Sequence, residues 1–259
     1  MKAIVLSAGQ GSRLLPLTTS RPKCLVEFSG RSLLEWQLEA LYWGGVREVV
    51  VVTGFAADQV EEMLAKRTPA GLKVRTQYNP FYKVADNLAT CWLVRQEMQG
   101  PCLILNGDTL IEPAIVRSLL QAPAAPITVT VDRKPQYDAD DMKVRTEGSR
   151  LTAIGKTLAA DSVDAESIGF LRFSREGAAR FIEQIERVMR TPEGVKLWYL
   201  SAINALAQAG VPVEVASIEG LQWGEVDFHP DIARARDMTA TWAERWLQQP
   251  APVLPAAGG

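Results

Sequence analysis

The chain has 259 residues, with 28 lysines and arginines, 30 aspartates and glutamates, one histidine and three cysteines. This length allows one large α/β domain or two small ones, and an apolar share of 47% with 22% charged residues is typical of a globular protein. One histidine excludes a histidine-rich zinc site and argues against a Ser-His-Asp hydrolase, and a net charge of −2 without a basic tract argues against duplex nucleic acid as a partner.

The first half of the chain alternates between predicted strands and predicted helices. Apolar runs without polar alternation, such as the four consecutive valines at 49–52, indicate strands that are buried on both faces. The predicted strands cover residues 3–8, 46–53, 72–78 and 101–106. The predicted helices cover residues 32–43, 58–66, 88–98 and 112–120. This alternation predicts a parallel sheet with right-handed crossovers.

After residue 126 the pattern changes to shorter segments in which apolar and polar residues alternate. These segments predict antiparallel strands at an edge of the sheet, and they cover residues 127–132, 143–146, 151–154 and 167–173. Predicted helices at 175–190, 197–209 and 230–247 and strand-like segments at 212–217 and 223–227 follow. We therefore expect an α/β, Rossmann-like fold with a mostly parallel central sheet, helices on both faces and an antiparallel edge region.

The cysteines and the hydropathy profile bear on the compartment. Cys24, Cys91 and Cys102 are odd in number and have no CxxC spacing, which argues against a disulfide framework and favours a reducing compartment. The N-terminal apolar run is too short for a signal peptide, and no run reaches about 18 apolar residues. We expect a cytoplasmic protein with no membrane partner.

A glycine-containing turn follows the first predicted strand. Gly9 and Gly11 allow backbone amides to turn inward and approach a phosphate. Leu14 stands where a dinucleotide GxGxxG pattern needs glycine, and the P-loop Gly-Lys-Ser/Thr is absent. Two glycines also occur in purely structural turns, but Arg13 and Lys23 beside them favour an anion site.

The residues around this turn resemble a known family. Leu-Ser-Ala-Gly-Gln-Gly-Ser-Arg-Leu-Leu-Pro-Leu-Thr at 6–18, followed by Arg-Pro-Lys-Cys-Leu at 21–25, is similar to the signature of nucleotidyltransferases that join an NTP to a sugar phosphate or small phosphoester. The resemblance implies a nucleotide-diphospho-sugar transferase-like fold, with Arg13 and Lys23 neutralising the phosphates. The nucleotide-binding residues it implies are Leu6, Ala8, Gly9, Gly11, Ser12, Arg13, Asn87, Thr90 and Asn106.

Two aspartates are candidate ligands of Mg²⁺. Asp108 follows a predicted central strand, and ligands of open parallel sheets bind outside strand ends. Asp227 matches the second metal-binding aspartate of the family, and Glu225 shares its strand face. A turn aspartate at 108, and a solvated start of the last helix at 225 and 227, are the structural alternatives.

The resemblance also implies a mechanism and a division of the chain. A phosphate monoester is already largely ionised at pH 7, so it can attack the α-phosphorus without a general base. Arg13, Lys23 and Lys156 are the predicted catalytic cations that offset anion repulsion. One domain is predicted at 1–248, with NTP bound by 1–125 and the acceptor by 126–248, and residues 249–259 are predicted to be a disordered tail.

A second stretch narrows the resemblance to cytidylyltransferases that act on phosphocholine, 2-aminoethylphosphonate or inositol phosphate. Residues 78–92 carry an Asn-x-x-Thr segment in place of the Gly-Thr-Ala/Gly segment of sugar nucleotidyltransferases. By this resemblance Asn87 and Thr90 lie near the base or ribose, and Lys143 or Lys156 contacts the acceptor phosphate. Lys156 could equally be a solvated lysine at a strand end.

The acceptor itself is left open by the sequence. A trimethylammonium group would need aromatic faces and a carboxylate, and the predicted contacts are Tyr137, Trp198, Tyr199 and Glu225. Trp198 could instead be a core residue. A primary ammonium group would instead need carboxylates, such as those of Asp138, Asp140 and Asp141.

Three functions follow from these observations. The first is Mg²⁺-dependent transfer of CMP from CTP to a small phosphorylated alcohol or phosphonate. The alternative is a sugar-1-phosphate nucleotidyltransferase that uses UTP, GTP or dTTP, against which the missing Gly-Thr-Ala segment counts. A non-catalytic nucleotide-sensing domain is the third, although Arg13, Lys23, Asp108 and Asp227 are all present.

Overall fold

The computed structural model describes residues 1–246, so the predicted tail and the last two residues of the predicted domain lie outside the described residues. Seven α-helices and thirteen strands are described. The helices are α1 Leu33–Gly44, α2 Ala57–Arg67, α3 Asn87–Leu93, α4 Pro113–Gln121, α5 Arg175–Val188, α6 Tyr199–Gln208 and α7 His229–Trp246. Among residues 1–246, no helix has both the length and the apolar character needed to cross a membrane.

The strand boundaries follow the predicted ones closely in the first half of the chain. The strands are β1 Lys2–Leu6, β2 Glu27–Phe28, β3 Arg31–Ser32, β4 Glu48–Thr53, β5 Lys73–Tyr78, β6 Cys102–Asn106, β7 Thr109–Ile111, β8 Ile127–Asp132, β9 Lys143–Glu147, β10 Arg150–Gly155, β11 Ala165–Phe173, β12 Val213–Ser217 and β13 Trp223–Glu225. The predicted strand at 3–8 ends at Leu6, because the chain turns there into the glycine loop.

A nine-stranded sheet in the order β5-β4-β1-β6-β11-β8-β12-β10-β9 forms the centre of the molecule. The four strands β5, β4, β1 and β6 are parallel, as predicted for the first half of the chain. Their carboxyl ends therefore meet at one edge of the sheet, where β1 leads into the glycine loop and β6 into Asp108. This arrangement positions the candidate site.

The antiparallel strands come from the second half of the chain, as predicted, but they do not all lie at an edge. Strand β11 lies between β6 and β8 in the middle of the sheet and is antiparallel to both. All nine of its residues are buried, because strands flank both its edges and helices cover both its faces. The described edge strands are β5 and β9, and β12 pairs with β8 in parallel.

Two apolar layers cover the sheet, so helices lie on both faces as expected. One layer contains apolar side chains of α1, α2, α4 and α7, and the other contains those of α3, α5 and α6. Trp36 and Trp242 meet edge to face in the first layer, with ring centroids 6.1 Å apart. Helix α1 begins with a capping box between Ser32 and Glu35 and ends at Gly45, whose φ of 108° suits glycine.

A buried glutamine on α1 holds the loop between β6 and β7. The Gln37 side-chain amide donates hydrogen bonds of 2.8 Å to the backbone carbonyls of Asn106 and Thr109. Thr109 Oγ1 in turn donates to the carbonyl of Ile168 on β11, at 3.1 Å. Since these contacts flank Asp108 on both sides, the core of the protein determines where that carboxylate lies.

We predict that replacing Gly107 with alanine destabilises this loop. A Cβ atom at Gly107 would lie 2.3 Å from the Leu6 carbonyl oxygen and 2.9 Å from the Ser7 Cα, so β1 and β6 would have to separate. The free energy of unfolding, measured with urea, should fall by about 2 kcal/mol. The control Gly155→Ala, where a Cβ meets no atom within 4 Å, should change it by less than about 0.5 kcal/mol.

Candidate active site

The glycine loop after β1 brings Lys23 into the cleft. Gly11 has a φ of +80°, and a Cβ atom there would lie 2.7 Å from the Cβ of Lys23, so this position requires glycine for two reasons. The Lys23 amide donates to the Gln10 carbonyl at 3.1 Å, and Thr18 Oγ1 donates to the Gly11 carbonyl at 2.7 Å. The loop thus closes on itself beneath the lysine.

A small two-stranded sheet brings the second aspartate to the first. Strand β13 pairs antiparallel with β7, and Glu225 lies opposite Thr109. The Val226 amide then donates to the Asp108 carbonyl at 3.0 Å. The Asp231 carboxylate accepts from the amides of Asp227 and Phe228 at 3.0 and 2.7 Å, which holds the turn before α7. Asp227 thereby faces Asp108.

The ammonium group of Lys23 lies between these two carboxylates. Its Nζ atom is 2.9 Å from Asp108 Oδ2 and 2.6 Å from Asp227 Oδ1. Burial favours the neutral form of Lys23, but the two carboxylates outweigh it and raise the pKa of the lysine. Burial likewise acts to raise the pKa of Asp108, but the charge and hydrogen bond of Lys23 hold that pKa below its usual value. Lys23 and Asp108 are therefore both charged at neutral pH.

Arg13 adds a second cation on the outer side of the cleft. Its NH1 group lies 3.2 Å from Asp227 Oδ2, and the guanidinium stacks over Phe228 at 5.1 Å from the ring centroid. About half of the Arg13 side chain is exposed (51%), so it can reach a ligand in the cleft. The structure brings Arg13, Lys23, Asp108 and Asp227 together, as the sequence predicted.

The first cavity, which we call the loop cavity, has a volume of about 280 Å³. Its lining contains most of the residues that the resemblance implied for the nucleotide. The lining residues are Leu6, Ser7, Ala8, Gly9, Gly11, Lys23, Cys24, Tyr82, Ala85, Asp86, Asn87, Thr90, Gly107 and Asp108. The glycine loop with Lys23 and Asp108 supplies one part of this lining, and the segment that leads into α3 supplies another.

A second cavity, the Trp198 cavity, of about 230 Å³, adjoins the first through Asn87 and Asp108. Its lining residues are Arg13, Asn87, Asn106, Asp108, Asp140, Met142, Lys156, Ser167, Gly169, Trp198, Leu200, Glu225 and Asp227. Asn106, implied for the nucleotide, lies here and not in the loop cavity. The Lys156 ammonium lies 4.6 Å from the Trp198 ring centroid and 3.6 Å from Asp140 Oδ1. The Lys156 side chain therefore faces the cleft. Trp198 is 42% exposed, so it is not a core residue.

The structure separates the two lysines predicted to contact the acceptor. Lys143 is buried, and its Nζ atom donates to the backbone carbonyls of Asp138 at 2.6 Å and Lys156 at 3.0 Å. It therefore supports the loop that carries Lys156 and does not face the cleft. This corrects the role predicted for Lys143.

Three further predicted residues line neither the loop cavity nor the Trp198 cavity, nor the acidic cavity described below. Tyr199 is fully buried, and its hydroxyl donates to Asn106 Oδ1 at 3.2 Å, so it supports the cleft wall and offers no aromatic face. Tyr137 packs beside Lys134, whose ammonium is 5.8 Å from its ring centroid. Ser12 begins the short helical turn that carries Arg13. A cage of Tyr137, Trp198 and Tyr199 is therefore not formed.

A third cavity, the acidic cavity, of about 460 Å³, continues from Glu225 and Asp227 away from the glycine loop. It is lined by Asp132, Lys134, Asp138, Asp140, Asp141, Glu166, Trp223, Gly224, Glu225, Asp227, Phe228, Asp231 and Arg234. Lys134 lies 2.8 Å from carboxylate oxygens of both Asp141 and Glu166. Burial raises the pKa of Glu166 to about 7 despite this lysine. Carboxylates outnumber cations in this lining eight to two.

Glu225 lies where the Trp198 cavity and the acidic cavity meet. Desolvation of the Glu225 carboxyl in the cleft is the main cause that raises its pKa to about 8, and the negative charges of Asp108 and Asp227 raise it further. Part of the residue nevertheless remains exposed to solvent. A cation that approaches this junction would favour the ionised form of Glu225.

The two aspartates fit a divalent cation that is shared with a ligand. Among residues 1–246, no group of three or more histidine, cysteine, aspartate or glutamate side chains could hold a metal by itself. Asp108 and Asp227 nevertheless face one another around a positive charge, the Lys23 ammonium. Mg²⁺ is commonly held by one or two carboxylates together with phosphate oxygens of the substrate. The donor set therefore fits Mg²⁺ bound together with a phosphorylated ligand.

Three residues of the site were missed by sequence reasoning. Gln37 binds the loop around Asp108 from a helix, Asn79 is buried behind α3, and Asp86 lines the loop cavity. Asp86 is next to Asn87 in the stretch that carried the resemblance, so its position in the sequence could have indicated that it lines the nucleotide site. Gln37 binds backbone carbonyls that are distant from it in sequence. Asn79 bonds to Phe81 in the following turn and to Thr90 on α3. No local sequence pattern indicates either role.

Comparisons with known proteins agree with this geometry. A family model described as nucleotidyl transferase matches residues 2–142. The CTP:phosphoglutamine cytidylyltransferase of Campylobacter jejuni is 27% identical in an alignment of 254 positions that covers 90% of this chain and 98% of that protein. The CMP-5'-(3-aminopropyl)phosphonate synthase of Streptomyces rubellomurinus is 33% identical in an alignment of 247 positions that covers 91% of this chain but 38% of that protein. The chain thus spans little more than a third of the second relative.

A solved structure confirms the expected fold. The inositol-1-phosphate CTP transferase from T. maritima superposes with a TM-score of 0.79 and covers 94% of this chain and 96% of that one. Its sequence is 20% identical, so this match is a match of fold. The nucleotide-diphospho-sugar transferase fold that the sequence implied is therefore the fold of this chain.

We predict that Lys23→Met destabilises the protein at neutral pH and that the loss shrinks in acid. Without the ammonium, the carboxylates of Asp108 and Asp227 face one another with no cation between them, and the free energy of unfolding should fall by about 2–3 kcal/mol at pH 7. Lys23 holds the pKa of Asp108 below its unfolded value near 4, so the wild type loses this stabilisation as the pH falls through the folded pKa. In the variant Asp108 takes up its proton at higher pH, which relieves the repulsion.

Urea unfolding of both proteins between pH 3 and pH 8 measures this effect, because the range must include the pH at which Asp108 takes up its proton. The matched control is Lys66→Met, which removes an exposed lysine 2.6 Å from Glu62 and should change stability by less than about 0.5 kcal/mol at either end of the range. An equal loss at pH 3 and pH 8 in Lys23→Met would contradict the electrostatic explanation.

Proposed function

Because the chain belongs to the nucleotidyl transferase family, we propose that it transfers CMP from CTP to a small acceptor that carries a phosphate or phosphonate group, with release of pyrophosphate. The Lys23 ammonium between Asp108 and Asp227 is the observation that carries the proposal. This cluster lies where the loop cavity and the Trp198 cavity adjoin, so a nucleotide in one and an acceptor in the other would meet at it. The two relatives described above support CTP as the donor, since the names of both refer to CTP or CMP.

The residues of the cleft suit a reaction between two anions. The acceptor phosphate is largely dianionic at pH 7, so it can attack the α-phosphorus of the nucleotide without losing a proton to a protein base. The main obstacle is repulsion between the two phosphates. Lys23 and Arg13 offset it from the side of the glycine loop, and Lys156 offsets it from the side of Trp198. These contacts also hold the reacting groups in line.

We propose Mg²⁺ as the cofactor, with Asp108 and Asp227 as its protein ligands. When bound, Mg²⁺ supplies charge neutralisation on the phosphate oxygens of the nucleotide. Lys23 lies between the two carboxylates and offsets their repulsion, so Asp108 and Asp227 stay close together in the free protein. The same lysine can then turn toward a phosphate of the nucleotide, because its side chain lies in the wall of the loop cavity.

We propose that the acceptor carries a positive charge at the end away from its phosphorus. A phosphate near Lys156 and Arg13 would direct its substituent toward the acidic cavity, where carboxylates prevail. The aminopropyl group in the name of the Streptomyces relative is of this kind. The Lys156 ammonium already covers the Trp198 ring, and no cage of three aromatics forms, so a primary ammonium group fits better than a trimethylammonium group.

Pyrophosphate release in a matrix of substrates tests the proposal. CTP, UTP, GTP and dTTP would each be combined with 2-aminoethylphosphonate, phosphocholine, inositol-1-phosphate and glucose-1-phosphate in the presence of Mg²⁺. We expect the highest kcat/KM with CTP and an amine-bearing acceptor. Activity with glucose-1-phosphate alone would support the sugar-nucleotide alternative, and binding of nucleotide without turnover of any pair would support a sensing domain.

We predict that Asp108→Asn lowers kcat at least about 100-fold, because the asparagine amide lacks the negative charge with which the Asp108 carboxylate would bind Mg²⁺. Its fold should remain intact, since the carboxylate lies at a strand end beside the cleft. Steady-state pyrophosphate release measures the rate, and circular dichroism checks the fold. Asp58→Asn, an exposed acid on α2, is the matched control and should keep the wild-type rate. A folded Asp108→Asn variant with the wild-type Mg²⁺-dependent rate would refute the metal assignment.

A further inference from the structure

Two parts of the loop-cavity lining differ in chemistry. The glycine loop with Lys23 offers backbone amides and a positive charge, which suit phosphates. The segment that leads into α3 contributes the polar side chains of Asp86 and Thr90 to the same lining. Asp86 and Thr90 are four residues apart, and the Thr90 amide donates to the Asp86 carbonyl at 3.4 Å, so they lie on one face of the helix. A nucleotide whose phosphates lie at the glycine loop would leave Asp86 and Thr90 to bind its base.

The buried side chain of Asn79 determines how Thr90 can bond. The Phe81 amide donates to Asn79 Oδ1 at 2.8 Å, which makes the other side-chain atom of Asn79 the NH₂ group. This NH₂ group donates to Thr90 Oγ1 at 3.1 Å. Asn79 and Thr90 are 1% and 5% exposed, so water does not compete for this bond. One lone pair of the Thr90 oxygen is thus engaged, and the hydroxyl proton, which has no acceptor among the described residues, is left to donate into the cavity.

The carboxylate of Asp86 acts as a hydrogen-bond acceptor, whereas the Thr90 hydroxyl acts as a donor. Asp86 is the N-cap residue of α3, yet its side chain makes no capping hydrogen bond. The Leu88 amide, which a capping aspartate would bind, donates instead to the Leu197 carbonyl at 3.2 Å. Partial burial is the one cause that raises the pKa of Asp86, so no basic side chain among the described residues offsets its charge. Ionised Asp86 can accept hydrogen bonds but cannot donate them.

We infer that Asp86 and Thr90 select cytosine over uracil, and that Asn79 is a positioning residue that fixes Thr90 as a donor. The inference rests on the proposed function and assigns its base specificity to named groups. Cytosine carries an amino group at C4, which donates, beside an accepting ring nitrogen and carbonyl. The amino group would bond to Asp86, and one of the two acceptors would bond to Thr90.

Uracil presents the reverse pattern at the same edge. Its C4 oxygen accepts and its ring nitrogen donates. The C4 oxygen would face the Asp86 carboxylate, and neither group has a proton to share. A site built to bond one polar group rejects an analogue that lacks it much more strongly than an apolar pocket does, because the site group is left unpaired. The preference for CTP then follows mainly from the Asp86 carboxylate, with the Thr90 hydroxyl as the second contact to the base.

The test compares CTP and UTP in the wild type, Asp86→Asn and the matched control Asp58→Asn. We expect the ratio of kcat/KM for CTP to that for UTP to fall at least about tenfold in Asp86→Asn, since the asparagine amide can also donate to the uracil C4 oxygen. Most of this change should lie in KM and in the Kd from calorimetric titration of each nucleotide. The control should keep the wild-type ratio.

A second pair of variants tests Thr90 without relying on Asp86. Thr90→Val should weaken CTP binding about tenfold in the calorimetric titration, whereas Thr90→Ser, which keeps the hydroxyl, should restore binding. A wild-type CTP to UTP ratio in Asp86→Asn, with unchanged CTP affinity in folded Thr90→Val, would overturn the inference and leave the proposed function intact. A wild type that prefers UTP would overturn both.

Discussion

The site depends on one ion triad, in which the ammonium of Lys23 is shared by Asp108 and Asp227. Its members come from the glycine loop, the end of β6 and the turn before α7, so the chain must be folded almost from end to end before they meet. Two like charges would otherwise repel at this distance, and the lysine makes their approach favourable. The arrangement couples the integrity of the fold to the chemistry of the cleft.

The rest of the cleft extends this separation of charge. Lys23, Arg13 and Lys156 surround the place where two phosphates would meet. Asp86 lies elsewhere in the lining of the loop cavity, and eight carboxylates line the acidic cavity. A net charge of −2 for the whole chain conceals this local pattern. The single histidine, His229, bonds to the Leu15 carbonyl at 2.8 Å and is not needed as a base when the nucleophile arrives ionised.

Features that depend on local sequence were predictable, and those that depend on distant partners were not. Runs such as the valines of β4 indicate buried strands. The glycine loop could be predicted because the φ of Gly11 favours glycine and the residue is visible in the sequence. The central place of β11 is set by pairing with β6 and β8, which its own sequence does not reveal. Lys143 and Lys156 look alike in sequence, and only the packing of the 138–156 region turns one inward to backbone carbonyls.

The central claim is that the carboxylates of the triad hold a divalent cation together with the nucleotide. Calorimetric titration of CTP, with Mg²⁺ and with EDTA, tests it most directly in the wild type and in the double variant Asp108→Asn/Asp227→Asn. Mg²⁺ should strengthen CTP binding to the wild type at least about tenfold, and this gain should disappear in the double variant while the protein remains folded. An equal Mg²⁺-dependent gain in both proteins would contradict the claim.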